Sequence, residues 1–182
     1  MKRPICFIFS GLGSQWSGMS QALMKFPVFA KAVHKCDVAL RPYGIFLTNI
    51  LTSANESTFD NIINLLLALV GLQIGMVDLL TSIGIIPDFI IGHSIGELLC
   101  GYADGCLTTE ETIVSAYFIG LALLESKIIN GSMAEININL KTLKDMRPSD
   151  IDVACYNGSS NFIVSGPKDS IKAFLTKLRV HI

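Results

Sequence analysis

The sequence predicts an α/β protein with a parallel sheet, followed by a small α+β unit of the ferredoxin-like type. Short apolar runs at residues 5–9 and 89–92 are typical of strands that are buried on both faces of a parallel sheet. Each run is followed by a glycine-containing turn and a helical pattern, which is the order of α/β units. After Asn130-Gly131 the pattern changes to alternating apolar and polar residues, which indicates a separate sheet.

Helices are predicted between and after these first strands. One begins near Trp16 or Met19 and ends before Pro27, and a second covers residues 29–40 with one apolar face. The third, at residues 61–82, is apolar almost all round and is therefore a central core helix. Asp78 makes a membrane span costly there. Two further helices follow, one from Ser94 to about residue 103 and one that begins at an N-cap near Thr108 and reaches residue 126.

The last third of the chain predicts strands at 133–138, 152–157 and 161–165, with helices at 140–146 and 169–178. This β-α-β-β-α order lacks one strand of a ferredoxin-like unit. Residues 180–182 are interpreted as the beginning of that strand, so the unit is incomplete. We therefore divide the chain into residues 1–130 and 131–182.

Composition excludes several classes of protein. Of the 182 residues, 51% are hydrophobic and 16% charged, which excludes intrinsic disorder. Fourteen basic and fifteen acidic residues leave no basic footprint for nucleic acid. The apolar run near the N-terminus is too short for a signal peptide. Five cysteines without C-x-x-C spacing and three histidines predict no metal site, but reduced thiols in a cytoplasmic protein.

One motif indicates chemistry. Gly92-His93-Ser94-Ile95-Gly96 matches G-x-S-x-G between an apolar strand and a helix. The glycines permit a sharp turn that presents Ser94 as a nucleophile, and the Ile95 N–H at the helix N-terminus is available to a developing oxyanion. The Ser10–Trp16 turn after the first strand lacks both common phosphate-loop patterns. It lies at the same edge of the predicted sheet and can supply a second oxyanion donor.

None of the three histidines is a convincing base for Ser94. His93 is adjacent to it, and neighbouring residues on such a turn point apart. His34 falls within an amphipathic helix, and His181 lies at the end of the sequence.

Three blocks of sequence resemble the malonyl/acetyltransferase domain of animal-type fatty acid synthase. They are residues 9–19, 92–97 and 101–105, and their spacing fits as well. Four further segments strengthen the resemblance: residues 56–60, 73–80, 131–134 and 164–167. The resemblance covers nearly the whole chain and is far more specific than the serine motif alone.

The resemblance implies an α/β-hydrolase-like core with an inserted ferredoxin-like subdomain. It also implies a transferase of fatty acid synthesis, in which Ser94 takes an acyl group such as malonyl from acyl-CoA and passes it to the phosphopantetheine thiol of an acyl carrier protein. The backbone amides of Leu12 and Ile95 resemble the oxyanion hole, and Gln73 and His93 resemble polar residues of the substrate pocket. No permanently bound cofactor is implied, and the partners would be acyl-CoA, the carrier protein and other domains of a multidomain synthase.

The sequence departs from the family at two points. The catalytic histidine of the family follows the small subdomain, beyond Ile182, so the resemblance implies a C-terminally truncated domain of low competence. Ile119 stands where the family has the arginine that binds a malonyl carboxylate, which favours a neutral acyl group. Two other hypotheses remain open, a serine esterase or thioesterase and a non-catalytic truncated paralogue.

Overall fold

The structure is a computed structural model that describes residues 3–126 and 131–181. The chain divides into two compact units, Met1–Ser126 and Lys127–Ile182, and each has its own hydrophobic core. The first unit contains two strands and five α-helices among its described residues. They are β1 (Cys6–Phe9), α1 (Pro27–Leu40), α2 (Leu47–Thr52), α3 (Ile62–Ser82), β2 (Phe89–Gly92), α4 (Glu97–Ala103) and α5 (Thr109–Glu125).

The two strands of the first unit pair in parallel, as predicted. Phe9 is opposite Gly92, so the carboxyl ends of β1 and β2 meet at one edge. The prediction that both faces of these strands are buried was wrong for the described residues. Phe9 packs into the core, whereas Ile8, Phe89 and Ile91 are exposed, because the helices that pack against this pair lie on one face.

Helix α3 is the central helix of the first unit and packs against α1, α2 and α5. The Asn61 side chain caps it by accepting hydrogen bonds from the Ile63 and Asn64 amides. By length and composition alone this helix could cross a membrane. Its buried residues, among them Leu67 and Val70, belong instead to the core of the unit, as predicted.

The predicted helix before Pro27 is the main error in this unit. Residues 16–22 form successive turns, and only Leu23–Lys25 form a short 3-10 helix. Gly18 has a φ of +77°, which interrupts a right-handed helix. Pro27 does not interrupt a helix but begins α1, because the first turn of a helix does not need its missing N–H.

The second unit is an antiparallel sheet with two helices. Its elements are β3 (Gly131–Asn137), α6 (Leu140–Met146), β4 (Asp152–Tyr156), β5 (Asn161–Pro167) and α7 (Lys168–His181). The strands lie in the order β3-β5-β4 and bury Phe162, Val164 and Ile136 beneath the helices.

The interpretation of residues 180–182 as the start of a strand was wrong. Helix α7 continues through His181, and Ile182 lies outside the described residues. The apolar positions Ile171, Phe174 and Leu178 are buried at helical spacing, and residues 179–181 include no glycine or proline that would end the helix.

Candidate active site at Ser94

Ser94 lies on a strained turn between β2 and a helix. His93 is extended, Ser94 has a φ of +55°, and a 3-10 turn from Ser94 to Gly96 leads directly into α4. In residues 3–126 and 131–181 no other residue except glycine has a positive φ. This backbone conformation costs a non-glycine residue about 1–2 kcal/mol, and such strain concentrates at functional sites.

The two glycines of the motif are required by close backbone contacts. A Cβ on Gly92 would lie 2.6 Å from the backbone of Glu97, and a Cβ on Gly96 would overlap the Phe9 carbonyl. Larger residues would separate the strand from the helix that follows it. The turn that presents Ser94 therefore depends on both glycines, as the sequence pattern indicates.

The loop after β1 packs directly against this turn. A Cβ on Gly11 would lie 2.8 Å from the His93 carbonyl oxygen and 3.0 Å from the Ser94 Cβ. The next residue, Leu12, therefore lies beside the serine. Ile95 is within the first turn of the helical segment, where backbone N–H groups have no partner inside the helix. These positions are suitable for two oxyanion donors.

A cavity of about 450 Å³ opens beside Ser94. Leu12, Ile95 and Ile119 line it, so the structure brings four of the six site residues predicted from sequence together. The charged residue among its described lining is Glu97, one turn after the serine. The remaining lining residues are apolar: Leu66, Leu98, Leu107 and Leu123.

These four leucines were not predicted from the sequence as site residues. Leu66 is buried in a helix that is apolar all round, so nothing local distinguishes a lining residue from a core residue. Leu123 follows Ile119 by one turn on α5, and this i, i+4 spacing is the signal that could have identified it.

Gln73 and His93 are not among the residues that line this cavity. The Gln73 side chain binds the backbone of Ser10 instead. Its Oε1 accepts from the Ser10 N–H at 2.9 Å, and its Nε2 donates to the Ser10 carbonyl at 3.2 Å and to the Leu69 carbonyl at 3.1 Å. His93 is exposed, and its Nδ1 faces Gly11.

No side chain of the described residues forms a hydrogen bond with Ser94. His34 is exposed on α1 and lines a different cavity, beside Lys35 and Val38. His181 belongs to α7 in the second unit. The part of the chain that the structure describes also contains no cluster of His, Cys, Asp or Glu that could hold a metal ion.

Comparison with known proteins identifies the family. Residues 6–181 match the acyl transferase domain family. Highly reducing polyketide synthase srdA of Neurospora crassa is 33% identical over 94% of this chain, and GPY1 of Gibberella fujikuroi is 30% identical over 97%. The chain spans only 8% and 7% of the length of these two relatives.

Solved structures agree with this assignment. The acyltransferase domain of the polyketide synthase PpsC of Mycobacterium tuberculosis superimposes with a TM-score of 0.84 at 26% identity, over 98% of this chain and 54% of that one. The malonyl CoA-acyl carrier protein transacylase FabD from Coxiella burnetii has the same fold, with a TM-score of 0.87 at 20% identity, over 98% and 58%.

These curated relatives are fungal polyketide synthases, so the comparisons do not support the animal type of fatty acid synthase in particular. The solved structures support the α/β acyltransferase fold, which the acyltransferase domain of PpsC and FabD share. The chain belongs to the acyl transferase domain family.

Proposed function

We propose that this chain is the serine-bearing part of an acyltransferase that loads acyl groups onto an acyl carrier protein, within a multidomain synthase of the polyketide type in the cytoplasm. The observation that carries the proposal is the strained turn at Ser94, which faces an apolar cavity and packs against the loop that holds Leu12. The similarity to polyketide synthases favours polyketide over fatty acid synthesis.

The proposed reaction has two transfers. The Ser94 Oγ attacks the carbonyl carbon of an acyl-CoA thioester, the C–S bond breaks, and CoA leaves as the thiol with the proton that the serine loses. The phosphopantetheine thiol of the carrier protein then attacks the carbonyl carbon of the serine ester, the C–O bond to Ser94 Oγ breaks, and Ser94 regains the proton that the thiol loses. The Leu12 and Ile95 amides would donate hydrogen bonds to the oxyanion formed in each step.

A general base is needed because a serine hydroxyl is a weak nucleophile at neutral pH. No histidine of the described residues forms a hydrogen bond with Ser94, and the family resemblance assigns the base to a histidine that follows the small subdomain. We expect slow acylation of the 182-residue chain, since a positioned base contributes about 10²–10⁴-fold.

The cavity favours a neutral, aliphatic acyl group as the substrate. A malonyl carboxylate placed against Ile119 and Leu123 would lose hydration without gaining a donor, and the Glu97 carboxylate in the same lining would repel it. Methyl and methylene groups would instead gain contacts with the leucines. A hydrogen bond to a charged group contributes about 1.5–3 kcal/mol, and malonyl would lack this bond here. We therefore expect a preference of about 10- to 100-fold for a neutral acyl group over malonyl.

The function is tested by mass spectrometry of the intact chain after incubation with acetyl-, butyryl- and malonyl-CoA. We expect an ester on Ser94 that is absent from the Ser94→Ala variant and that moves to the thiol of an added carrier protein. Release of free acid without transfer to the carrier would indicate an esterase. Absence of any ester would contradict the proposed function.

The acyl preference is tested by comparing two arginine variants of α5. Ile119→Arg puts a cation in the cavity and should raise the relative rate with malonyl-CoA. Leu124→Arg adds the same charge at an exposed position that does not line the cavity, and it should leave the preference unchanged. Faster acylation of the unmodified chain by malonyl-CoA than by butyryl-CoA would contradict the preference.

A further inference from the structure

We infer that Gln73 is a positioning residue that orients the oxyanion-hole loop, and this inference rests on the proposed function. The amide of Gln73 binds both backbone groups of Ser10, the N–H at 2.9 Å and the carbonyl at 3.2 Å. Its second N–H is also used, because Nε2 donates to the Leu69 carbonyl of its own helix. A side chain held at three points has little freedom to rotate.

Ser10 is the residue at which the loop leaves the sheet. The pairing of β1 with β2 ends at Phe9, whose carbonyl accepts from the His93 N–H at 2.9 Å. Gln73 therefore replaces a neighbouring strand and fixes the backbone one residue beyond the sheet. The two following residues are Gly11, which contacts the serine turn, and Leu12, the proposed oxyanion donor.

The rest of the loop is held by its own short contacts. The Gln15 side chain accepts from the Gly13 N–H at 2.9 Å, and the Ser14 hydroxyl donates to the Gly11 carbonyl at 2.9 Å. These bonds fix the internal shape of the loop but not its position relative to Ser94. Its position depends on the packing of Gly11 against the serine turn and on the anchor at Ser10. Gln73 therefore helps to set the direction of the Leu12 amide without touching substrate.

The test compares two variants of α3. Gln73→Met keeps the volume and removes the anchor. Asn64→Leu is the matched control, because Asn64 Nδ2 also donates from α3 to a loop carbonyl, that of Thr58 at 3.1 Å, far along the helix from Ser10. We expect Gln73→Met to slow acylation of Ser94 at least about tenfold, since loss of one oxyanion donor costs about 10²–10³. The half-saturating concentration of butyryl-CoA should change less than about twofold, because ground-state binding is kept.

Two ligands separate positioning from a general structural role. A trifluoromethyl ketone analogue of butyryl-CoA forms a bond from Ser94 Oγ to its carbonyl carbon and places an oxyanion in the hole. A thioether analogue binds without reaction. Gln73→Met should weaken the ketone in proportion to the loss in rate and leave the thioether unchanged, whereas Asn64→Leu should alter neither. Equal weakening of both ligands, or the same result for Asn64→Leu, would overturn the inference.

Hydrogen exchange keeps the inference separate from the proposed function. The amides of residues 10–13 should exchange faster in Gln73→Met than in the unmodified chain and in Asn64→Leu. If the unmodified chain forms no ester on Ser94, the proposed function fails. If exchange at the amides of residues 10–13 is unchanged in Gln73→Met, the inference that Gln73 anchors the loop at Ser10 is overturned.

Discussion

Single residues at the Ser94 turn carry strain that the rest of the fold has to offset. The φ of +55° at Ser94 is a conformation that glycine adopts freely and serine does not. Close backbone contacts on both sides of Ser94, between Gly92 and Glu97 and between Gly96 and Phe9, keep it in this conformation. Stability and the proposed role of Ser94 as a nucleophile therefore make opposite demands on position 94.

Replacement of Ser94 should separate these two demands. We expect Ser94→Gly to be about 1 kcal/mol more stable than Ser94→Ala, because glycine relieves the strain by more than its extra unfolded-state entropy costs. Neither variant should form an acyl ester. Urea unfolding followed by circular dichroism measures the difference, and a Ser94→Gly chain less stable than Ser94→Ala would contradict it.

A buried thiol should make the fold sensitive to high pH. Burial raises the pKa of Cys36 from 9.0 to about 12, with the nearby Asp37 and Asp78 carboxylates adding to the effect. Since the folded pKa is above the unfolded one, the neutral thiol stabilises the fold fully below pH 9, and this contribution is lost as the pH rises further.

Between pH 9 and pH 11 the free energy of unfolding should fall by about 2–3 kcal/mol from Cys36 alone. Tyr102 acts in the same direction, because burial and its hydrogen bond to Asp78 raise its pKa as well. Unfolding of Cys36→Ala across this range should show a smaller slope with pH than the unmodified chain. Identical slopes would show that Cys36 does not titrate in this way.

At the scale of elements, α3 depends on two glycines that allow neighbouring helices to approach it. A Cβ on Gly75 would lie 2.5 Å from the Phe29 ring of α1, and a Cβ on Gly71 would overlap Leu47 of α2. Phe29 and Leu47 are fully buried and have no room to move away. The glycines are therefore packing residues, although they weaken the helix itself.

Gly75→Ala should destabilise the first unit in spite of its better helix propensity. Propensity alone would add about 1 kcal/mol of stability, whereas overpacking against Phe29 should cost about 1–3 kcal/mol, so the net loss should be up to about 2 kcal/mol. Thr81→Ala, at an exposed position of the same helix, serves as the control and should change stability by less than about 0.5 kcal/mol. Thermal unfolding of the two variants checks the expectation, and a stabilised Gly75→Ala chain would refute it.

Elements whose ends are determined locally were predicted most accurately from the sequence. The capping box of Thr108 and Glu111, with mutual bonds of 2.8 and 3.1 Å, begins α5 where the pattern places it. The contact between the serine turn and the loop after β1 also follows from parallel strands. The partners of Gly75 and Gln73 come from distant parts of the chain, so no local pattern could reveal them.

At the scale of the molecule, the two units have separate cores. The second core is built around Phe162 and Phe174, which are almost fully buried, and includes no residue of the first. A defect in one core should therefore act first on the unit that contains it.

Phe174→Ala should destabilise the second unit by about 3–5 kcal/mol through loss of burial and the cavity left behind. Hydrogen exchange should become faster in residues 131–181, while the protected amides of α3 in the first unit remain protected. Equal loss of protection in both units would show that they unfold together.

The strain at Ser94 also has an evolutionary consequence. A copy of this domain that had lost its reaction would be free to drift, and drift towards glycine at position 94 would increase its stability. Selection for stability alone would not maintain a serine there. We therefore expect copies of this domain that have lost the reaction to carry glycine at the position of Ser94, the one non-glycine position of positive φ in the described residues, more often than copies that have kept it.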